Sequence, residues 1–200
     1  MKFERGIIVV NKENYKKIKN YQSFISSHPL PNQKGIEASK SIINLLKKTG
    51  NNDLILVFIS GGGSSLLPLP SNGLSLKNKI DINKKLLESG ANIDEINCVR
   101  KHLSKVKGGN FLKFCYPSMV HSLILSDVVG DDLSSISSGL TVPDPSTFAD
   151  AKKILIKYRI WNTIPKRISK HILNGINSKH QETPKIGNKI FEKSKYTLIG

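Results

Sequence analysis

The stretch that most constrains this chain is an apolar run followed by three glycines and two serines. Residues 54–59 read LILVFI, and residues 60–66 continue as SGGGSSL. An apolar run of strand length that ends in glycine predicts a buried strand, a tight loop and the start of another element. We therefore expect a fold in which a buried strand presents a glycine loop at its carboxyl end.

The glycine loop, Gly61 to Ser65, has the composition of an anion-binding loop. Glycine tolerates positive φ, so successive backbone N–H groups can point toward one ligand. A helix that begins near Ser64 would add unpaired N–H groups, its dipole and the serine hydroxyls. We predict that Gly61, Gly62, Gly63, Ser64 and Ser65 bind a phosphate. The alternative is a flexible glycine turn, because the string matches neither a Walker A sequence nor a dinucleotide-binding fingerprint.

The elements around this loop predict an α/β fold. Residues 35–48 place isoleucines and leucines on one helical face before Gly50, and the strand at residues 54–60 follows. A second apolar run at residues 120–125 predicts another strand. Alternating helices and buried strands are typical of parallel sheets, which bind ligands beyond the carboxyl ends of their strands. We expect a Rossmann-like three-layer α/β domain with a mostly parallel sheet.

Further elements are predicted from short apolar runs and from capping residues. Residues 7–10 and 22–26 read as short strands, and residues 196–200 read as the start of another. Helix N-caps are predicted at Ser75, Asn92 and either Ser146 or Thr147, and Pro165 is predicted to open a further helix.

The helix predicted after Asn92 carries an apolar face and a basic polar face. The apolar face consists of Ile93, Ile96, Val99 and Leu103, and the polar face consists of Asn97, Arg100, Lys101 and Ser104. A guanidinium, an ammonium, an amide and a hydroxyl together suit an anionic ligand. Lys105 and Lys107, followed by two glycines, extend the positive charge into the next loop. The alternative is an ordinary solvated helix face.

Three aspartates follow the strand predicted at residues 120–125, namely Asp127, Asp131 and Asp132. Carboxylates just beyond a strand, with Gly130 allowing a turn, are well placed to hold a divalent cation that bridges nucleotide phosphates. We expect Asp127, the nearest to the strand end, in this role. Aspartates also occur in turns for local capping reasons alone.

The charge of the chain raises the question of a nucleic-acid partner. Its formal net charge is +16, and a clustered basic surface attracts phosphate backbones. Arginine is favoured in base readout and phosphate forks, yet only Arg5, Arg100, Arg159 and Arg167 are arginines, and the lysines are scattered. This pattern argues against nucleic-acid binding.

The compartment is predicted from the cysteines and the apolar runs. Cys98 and Cys115 are the two cysteines, which indicates a reducing compartment and no disulfide framework. No apolar run reaches the roughly 18 residues that a membrane span needs, and the run at residues 7–10 is too short for a signal-peptide core. We expect a cytoplasmic protein.

Four strings taken together resemble the glycerate 2-kinase family. They are FISGGGSSLLPLP at residues 58–70, INCVRKHLSKVKGG at 96–109, LILSDVVGDDL at 123–133 and SGLTVPDPSTF at 138–148. HPLP at residues 28–31 also looks like a family motif, so the likeness covers nearly the whole chain in order. Leu140 departs from the proline of the family pattern, and Asn110 stands where a basic residue is common.

The resemblance implies an enzyme that uses ATP and Mg²⁺ to phosphorylate glycerate to 2-phosphoglycerate. It implies that residues 61–65 and Lys101 bind the nucleotide phosphates or the substrate carboxylate. It further implies catalytic roles for Arg100, Lys107 and Asp127, and a metal site formed by Asp127 with Asp131.

The resemblance also implies that this chain is partial. Family members are considerably longer, with a preceding segment that carries a catalytic lysine and a C-terminal domain that closes the cleft. Residues 1–200 therefore resemble the central part of an N-terminal α/β domain, with its sheet incomplete at both ends and the C-terminal domain absent. The alternative is an inactive fragment that only binds anions or a complementing partner.

Overall fold

Strands and helices alternate along the computed structural model, which describes residues 4–126 and 132–199. The strands of this described part are β1, Ile7–Val10; β2, Gln22–Ile25; β3, Leu54–Ile59; β4, Met119–Leu125; and β5, Ser194–Ile199. Its α-helices are α1, Gln33–Leu46; α2, Gly63–Leu66; α3, Leu76–Glu88; α4, Ile93–His102; α5, Leu112–Cys115; α6, Phe148–Lys157; and α7, Lys166–Ile176. In the described residues, no helix is both long and apolar enough to cross a membrane.

The strands form two parallel sheets, which confirms the predicted α/β class. β1 pairs with β2, and the second sheet has the order β3-β4-β5. In the second sheet, Leu54 lies opposite Met119, and Ile59 lies opposite Ile124. Because β3 and β4 run parallel in this register, the glycine loop after β3 and Ser126 after β4 leave the sheet at the same edge.

Capping side chains fix the starts of three helices, as the sequence predicts. Ser75 caps α3, Asn92 caps α4, and Thr147 caps α6. Each accepts a hydrogen bond from the backbone N–H three residues later, and that residue's side chain accepts from the N–H of the cap. Such a cap contributes about 1 kcal/mol to helix stability. Pro165 itself stands at the N-cap of α7.

Two apolar cores lie on either side of the polar residues of α4. One core joins α1 and α5 to the inner face of β3 and β4, and it includes Ile36, Leu46, Ile59, Leu112, Val120 and Ile124. The other joins α3, α4, α6 and α7, and it includes Leu86, Val99, Leu103, Leu155, Ile168 and Ile172. The opposite face of the three-stranded sheet is open, since Leu54, Phe58, Met119 and Leu125 are exposed.

The burial of α4 agrees with the predicted apolar face at three of its four positions. Ile96, Val99 and Leu103 are buried, but Ile93 is 54% exposed because it occupies the first position of the helix. On α3, the apolar side chain of Leu87 is also exposed. The polar face that begins on α4 is buried at Asn97, Lys101 and Ser104, which excludes the alternative of an ordinary solvated helix face.

Candidate anion-binding site

The glycine loop leaves β3 and turns at once into a single helical turn. Gly62 has φ of 76°, and α2 spans only Gly63–Leu66. The N–H of Ser65 bonds back to the carbonyl of Gly62 at 3.0 Å. The N–H groups of Gly62, Gly63 and Ser64 donate to no other group in the described part of the chain. The predicted free donors are therefore present, while a one-turn helix adds little dipole.

The glycines are required because two other segments press against this loop. At its positive φ, Gly62 adopts a conformation that glycine takes without steric cost, and a Cβ there would lie 3.1 Å from Cδ2 of His28. A Cβ on Gly63 would overlap the hydroxyl of Ser137. The glycine loop is thus enclosed by the residues around His28 on one side and by the segment after β4 on another.

The hydroxyls of the two loop serines are already engaged, which differs from the prediction that they supply donors to a ligand. Ser65 Oγ donates to the carbonyl of Pro29 at 2.7 Å. Ser64 Oγ lies 2.9 Å from Ser138 Oγ and 2.8 Å from Nζ of Lys107. The loop therefore presents backbone N–H groups to a ligand rather than hydroxyl protons.

The direction of the hydrogen bonds around Ser64 follows from the number of protons. Ser138 Oγ donates its one proton to Oδ1 of Asn97 at 2.9 Å, so it accepts from Ser64. Ser64 then has no proton left for Lys107, so Lys107 donates to Ser64 Oγ. The resulting relay runs from Lys107 through Ser64 and Ser138 to Asn97. The Nδ2 atom of Asn97 is buried without a partner in the described structure.

Lys107 supports the glycine loop from inside the protein. Its side chain is 1% exposed, and Nζ donates to the carbonyl oxygen of Ser64 at 2.8 Å as well as to the hydroxyl. Burial, and then the charges of Lys79 and Arg100, lower the pKa of Lys107 well below its ordinary value. Lys107 thus contacts the glycine loop itself, and its predicted catalytic role stays a prediction.

Arg100 is held in place by asparagines on two helices. Its Nε donates to Oδ1 of Asn83 on α3 at 2.6 Å, and a guanidinium nitrogen lies 3.5 Å from Oδ1 of Asn97. Burial lowers the pKa of Arg100. A guanidinium fixed in this way offers its remaining N–H donors in one orientation, which suits an oxyanion.

A buried lysine that the sequence does not predict joins this group. Lys79 of α3 is 9% exposed, and its Nζ donates to the carbonyl of Pro68 at 3.0 Å. No carboxylate of the described residues forms an ion pair with Lys79, Arg100 or Lys107. Buried cations without a counter-ion are costly, so their grouping beside free N–H donors indicates a site for an anion.

Lys101 differs from the other cations because it has a carboxylate partner. Its Nζ lies 3.3 Å from Oδ1 of Asp144, and both side chains are buried. Asp144 Oδ1 also accepts from the N–H and hydroxyl of Ser146, whereas its Oδ2 is buried without a partner in the described structure. This pair ties α4 to the segment before α6, and the predicted binding of a cofactor by Lys101 stays a prediction.

The predicted metal ligands Asp127 and Asp131 lie outside the described residues, as does Gly130. Asp132 is described, and its carboxylate accepts hydrogen bonds from Ser134 and Ser135. Although desolvation opposes it, these bonds lower the pKa of Asp132. Within residues 4–126 and 132–199, no group of three or more His, Cys, Asp or Glu side chains could hold a metal ion.

The chain is similar to glycerate kinases along most of its length. A model of the DUF4147 family, described as a domain of unknown function, matches residues 1–173. Glycerate 2-kinase from Pyrococcus horikoshii is 43% identical over 182 residues, which make up 91% of this chain and 41% of that protein. D-glycerate 2-kinase from Thermotoga maritima is 40% identical over 185 residues, or 92% of this chain and 42% of that protein.

Two solved structures are also similar. A crystal structure of a protein from Pyrococcus horikoshii gives a TM-score of 0.93 at 41% identity, and that of glycerate kinase from Thermotoga maritima gives 0.87 at 39%. Each match covers 98% of this chain and 44% of the solved chain. The chain therefore spans less than half the length of the relatives it matches. One relative from Agrobacterium vitis, 44% identical over 81% of this chain and 35% of that protein, is named provisionally as a hydroxypyruvate reductase.

Proposed function

The chain belongs to the DUF4147 family, and from this membership we propose that it forms the anion-binding part of a glycerate 2-kinase. Such an enzyme transfers the γ-phosphoryl group of ATP to glycerate and gives 2-phosphoglycerate. The observation that carries the proposal is the grouping of Lys79, Arg100 and Lys107, buried and without a carboxylate partner among the described residues, around a loop with free N–H groups. Phosphates and carboxylates are the ligands that such a site accepts.

The residues around the loop divide into two roles. The N–H groups of Gly62, Gly63 and Ser64 bind the oxygens of a phosphate or of the glycerate carboxylate, and Arg100 adds a charged donor in a fixed orientation. Lys107 lies behind the loop, holds Ser64 and contributes positive charge. Phosphoryl transfer depends mainly on positioning and charge stabilisation, and these residues supply both.

A magnesium ion is part of this proposal only through residues that the structure does not describe. When bound, Mg²⁺ would bridge ATP phosphates and neutralise charge during transfer. Asp144 forms an ion pair with Lys101, and Asp132 accepts hydrogen bonds from Ser134 and Ser135. These described carboxylates therefore do not form a magnesium site. We retain Asp127 and Asp131 as the proposed ligands.

The extent and location of the protein are part of the same proposal. We propose that residues 1–200 belong to the N-terminal α/β domain of a longer kinase, since the matched relatives are more than twice as long.

We place the protein in the cytoplasm because Cys98 and Cys115 are both free, as in a reducing compartment. The prediction against nucleic-acid binding stays a prediction, which salt-dependent binding would contradict.

The experiment is an assay of the complete product of the gene, after the genomic sequence on either side has been read. Purified protein is incubated with ATP, Mg²⁺ and either enantiomer of glycerate, and 2-phosphoglycerate is measured directly. We expect formation that requires ATP, and at least a hundredfold loss in Arg100→Ala, about 3 kcal/mol of transition-state stabilisation. Unchanged turnover in Arg100→Ala would contradict the assignment of this residue.

Two other outcomes are informative. Anion binding without turnover by the complete gene product would support the alternative of an inactive binding fragment. Reduction of hydroxypyruvate with NADH or NADPH, without ATP, would replace the kinase proposal by the activity named for the Agrobacterium relative. The glycine string SGGGSSL favours the kinase, because it lacks the spacing of a dinucleotide-binding fingerprint.

A further inference from the structure

Lys79 occupies an unusual position for a helix lysine. It lies in the first turn of α3, yet its side chain turns inward, where Nζ donates to the carbonyl of Pro68 at 3.0 Å. Pro68 follows α2 by two residues, so this ammonium lies next to the base of the glycine loop. An ammonium has three donors, and no second acceptor for Nζ is found in the described part of the chain.

The charged groups that face Lys79 among the described residues are both positive. Arg100 faces it from α4, and Lys107 faces it from the loop after α4. On α3 itself, the nearest carboxylate, Asp81, lies 3.4 Å from Nζ of Lys77, which is 82% exposed. Within residues 4–126 and 132–199, the groups that face Lys79 are therefore like charges and neutral backbone.

This environment disfavours the ammonium while the site is empty. Burial, and then the charge of Arg100, lower the pKa of Lys79 to about 7. Near neutral pH and without a bound anion, Lys79 should therefore be present in both the amine and the ammonium forms. An anion beside the same group would favour the ammonium, because an opposite charge within about 4–6 Å stabilises the charged form.

The space next to Lys79 limits where an anion can lie. A cavity of about 10 Å³ between α3 and α4 is lined by Lys79, Asn83 and Arg100 together with apolar side chains. This volume is at the lower limit for one water molecule and excludes a phosphate. A phosphate that contacts Lys79 therefore does not lie in this cavity, and Pro68, which accepts from Nζ, connects Lys79 to the glycine loop.

We propose that Lys79 is a third cationic binding residue of the anion site, and that it takes up a proton from solvent when a phosphate-bearing anion binds. The inference rests on the proposed anion site and deepens it by naming the preferred ligand class. Lys79, Arg100 and Lys107 have no carboxylate partner among the described residues, and a polyanion such as a nucleoside triphosphate suits three such groups better than glycerate, which carries a single charge. The proton comes from water or buffer, and no covalent step is involved.

The experiment is calorimetric titration of the 200-residue chain with ATP, without metal, at pH 7.5 in two buffers of different ionisation enthalpy. We expect the wild type to take up at least about 0.5 proton per ATP bound at this pH, from Lys79 together with Lys107, whose pKa is also lowered. Lys79→Met should reduce this uptake by about 0.5 proton and bind ATP about tenfold more weakly. Lys77→Met, on the exposed side of the same helix, is the matched control and should match the wild type. Protons that ATP itself gains or loses on binding contribute equally for the wild type and each variant, so they cancel when the proton uptakes are compared.

A second variant separates the proton effect from a loss of folding. Lys79→Arg keeps the charge at every accessible pH, so it should bind ATP with affinity within about threefold of the wild type but with reduced proton uptake. Wild-type proton uptake and affinity in Lys79→Met, or wild-type uptake in Lys79→Arg, would overturn the role of Lys79 while leaving the anion site intact. Failure of the wild type to bind either ATP or inorganic phosphate would instead overturn the proposed site itself.

Discussion

Nζ of Lys107 lies 2.8 Å from both the carbonyl oxygen and the hydroxyl oxygen of Ser64, a residue 43 positions earlier in the chain. Through these two bonds the lysine fixes the backbone and the side chain of the same loop residue. Ser64 in turn reaches Ser138, so the conformation of the glycine loop depends on residues that are distant in sequence.

Replacement of Lys107 by methionine should loosen the glycine loop without opening a cavity. Ser64 would lose two donors, which we expect to cost about 1–3 kcal/mol, partly offset because a buried charge is removed. ATP affinity, measured by calorimetry, should fall at least tenfold. Lys84→Met, which removes an exposed lysine 3.7 Å from Glu88, should change neither quantity measurably. Undiminished ATP affinity in Lys107→Met would exclude a role for this lysine in the site.

The serine relay predicts energetic coupling between Ser138 and Asn97. Ser138→Ala removes the donor to Asn97 and the acceptor of Ser64, and should cost about 1–3 kcal/mol in the free energy of unfolding. Asn97→Ala should cost a similar amount. In urea unfolding, the double variant should be more stable than the sum of the single changes by at least 0.5 kcal/mol. Simple additivity would show that the two side chains do not interact as described.

A methyl group on Gly63 should disturb the anion site by displacing Ser137. Gly63→Ala brings its Cβ onto the Ser137 hydroxyl, which itself donates to the carbonyl of Ser60 at 3.0 Å. We expect ATP affinity to fall at least tenfold. Gly50→Ala, where a Cβ meets nothing within 4 Å, is the control. Because Ser137 has φ of 51°, which glycine adopts readily, addition of Ser137→Gly should restore part of the affinity. No recovery would point to a cause other than this contact.

The ion pair between His102 and Glu182 predicts a pH dependence of stability. His102 donates from Nδ1 to the carbonyl of Cys98 at 2.8 Å and from Nε2 to Glu182 at 2.9 Å, so its ring carries both protons. Burial opposes this charge, but the bonds to Cys98 and Glu182 outweigh it and raise the pKa of His102 to about 9. Desolvation likewise opposes ionisation of Glu182, while His102 and backbone N–H groups lower its pKa to about 2.

The direction of each pKa shift determines the pH range in which His102 and Glu182 stabilise the protein. The contribution of His102 is complete below its ordinary pKa of about 6.5 and is lost as the pH rises through 9. That of Glu182 is complete above its ordinary pKa of about 4.5 and is lost as the pH falls toward 2. Glu182→Gln should therefore destabilise the protein most near pH 6, by on the order of 1–3 kcal/mol, and much less at pH 9. The stability of Glu182→Gln is compared with that of the wild type at each pH, because the lowered pKa values of the buried lysines change the stability of both proteins in the opposite direction. An equal loss of stability at pH 6 and pH 9 in Glu182→Gln would contradict this account, and Glu192→Gln, at an exposed position, is the control.

The sequence predicts the elements that depend on local interactions. Ser75, Asn92 and Thr147 are found as caps because a cap bonds to a residue only three positions away. The parallel pairing of β3 with β4 follows from two apolar runs and the helices between them. The resemblance of four strings to glycerate 2-kinases is confirmed by the relatives that match most of the chain.

The sequence does not predict what covers the polar face of α4. Periodicity shows that Asn97 and Lys101 share a face, but the residues that bury them, Ser138 and Asp144, come from a segment more than 40 positions later. For the same reason Lys79 is indistinguishable from its neighbouring lysines until the packing of α3 is known. The metal-binding roles of Asp127 and Asp131 remain predictions.

The relay from Lys107 through Ser64 and Ser138 to Asn97 has a consequence for protein engineering. Its four members come from three separate stretches of the chain, residues 58–70, 96–109 and 138–148, and each is held by the next. A graft of the SGGGSSL string onto another parallel sheet would carry the glycines without their support. The loop is therefore not expected to keep its conformation when it is transferred alone, and recombination within this family should succeed only when all three stretches are inherited together.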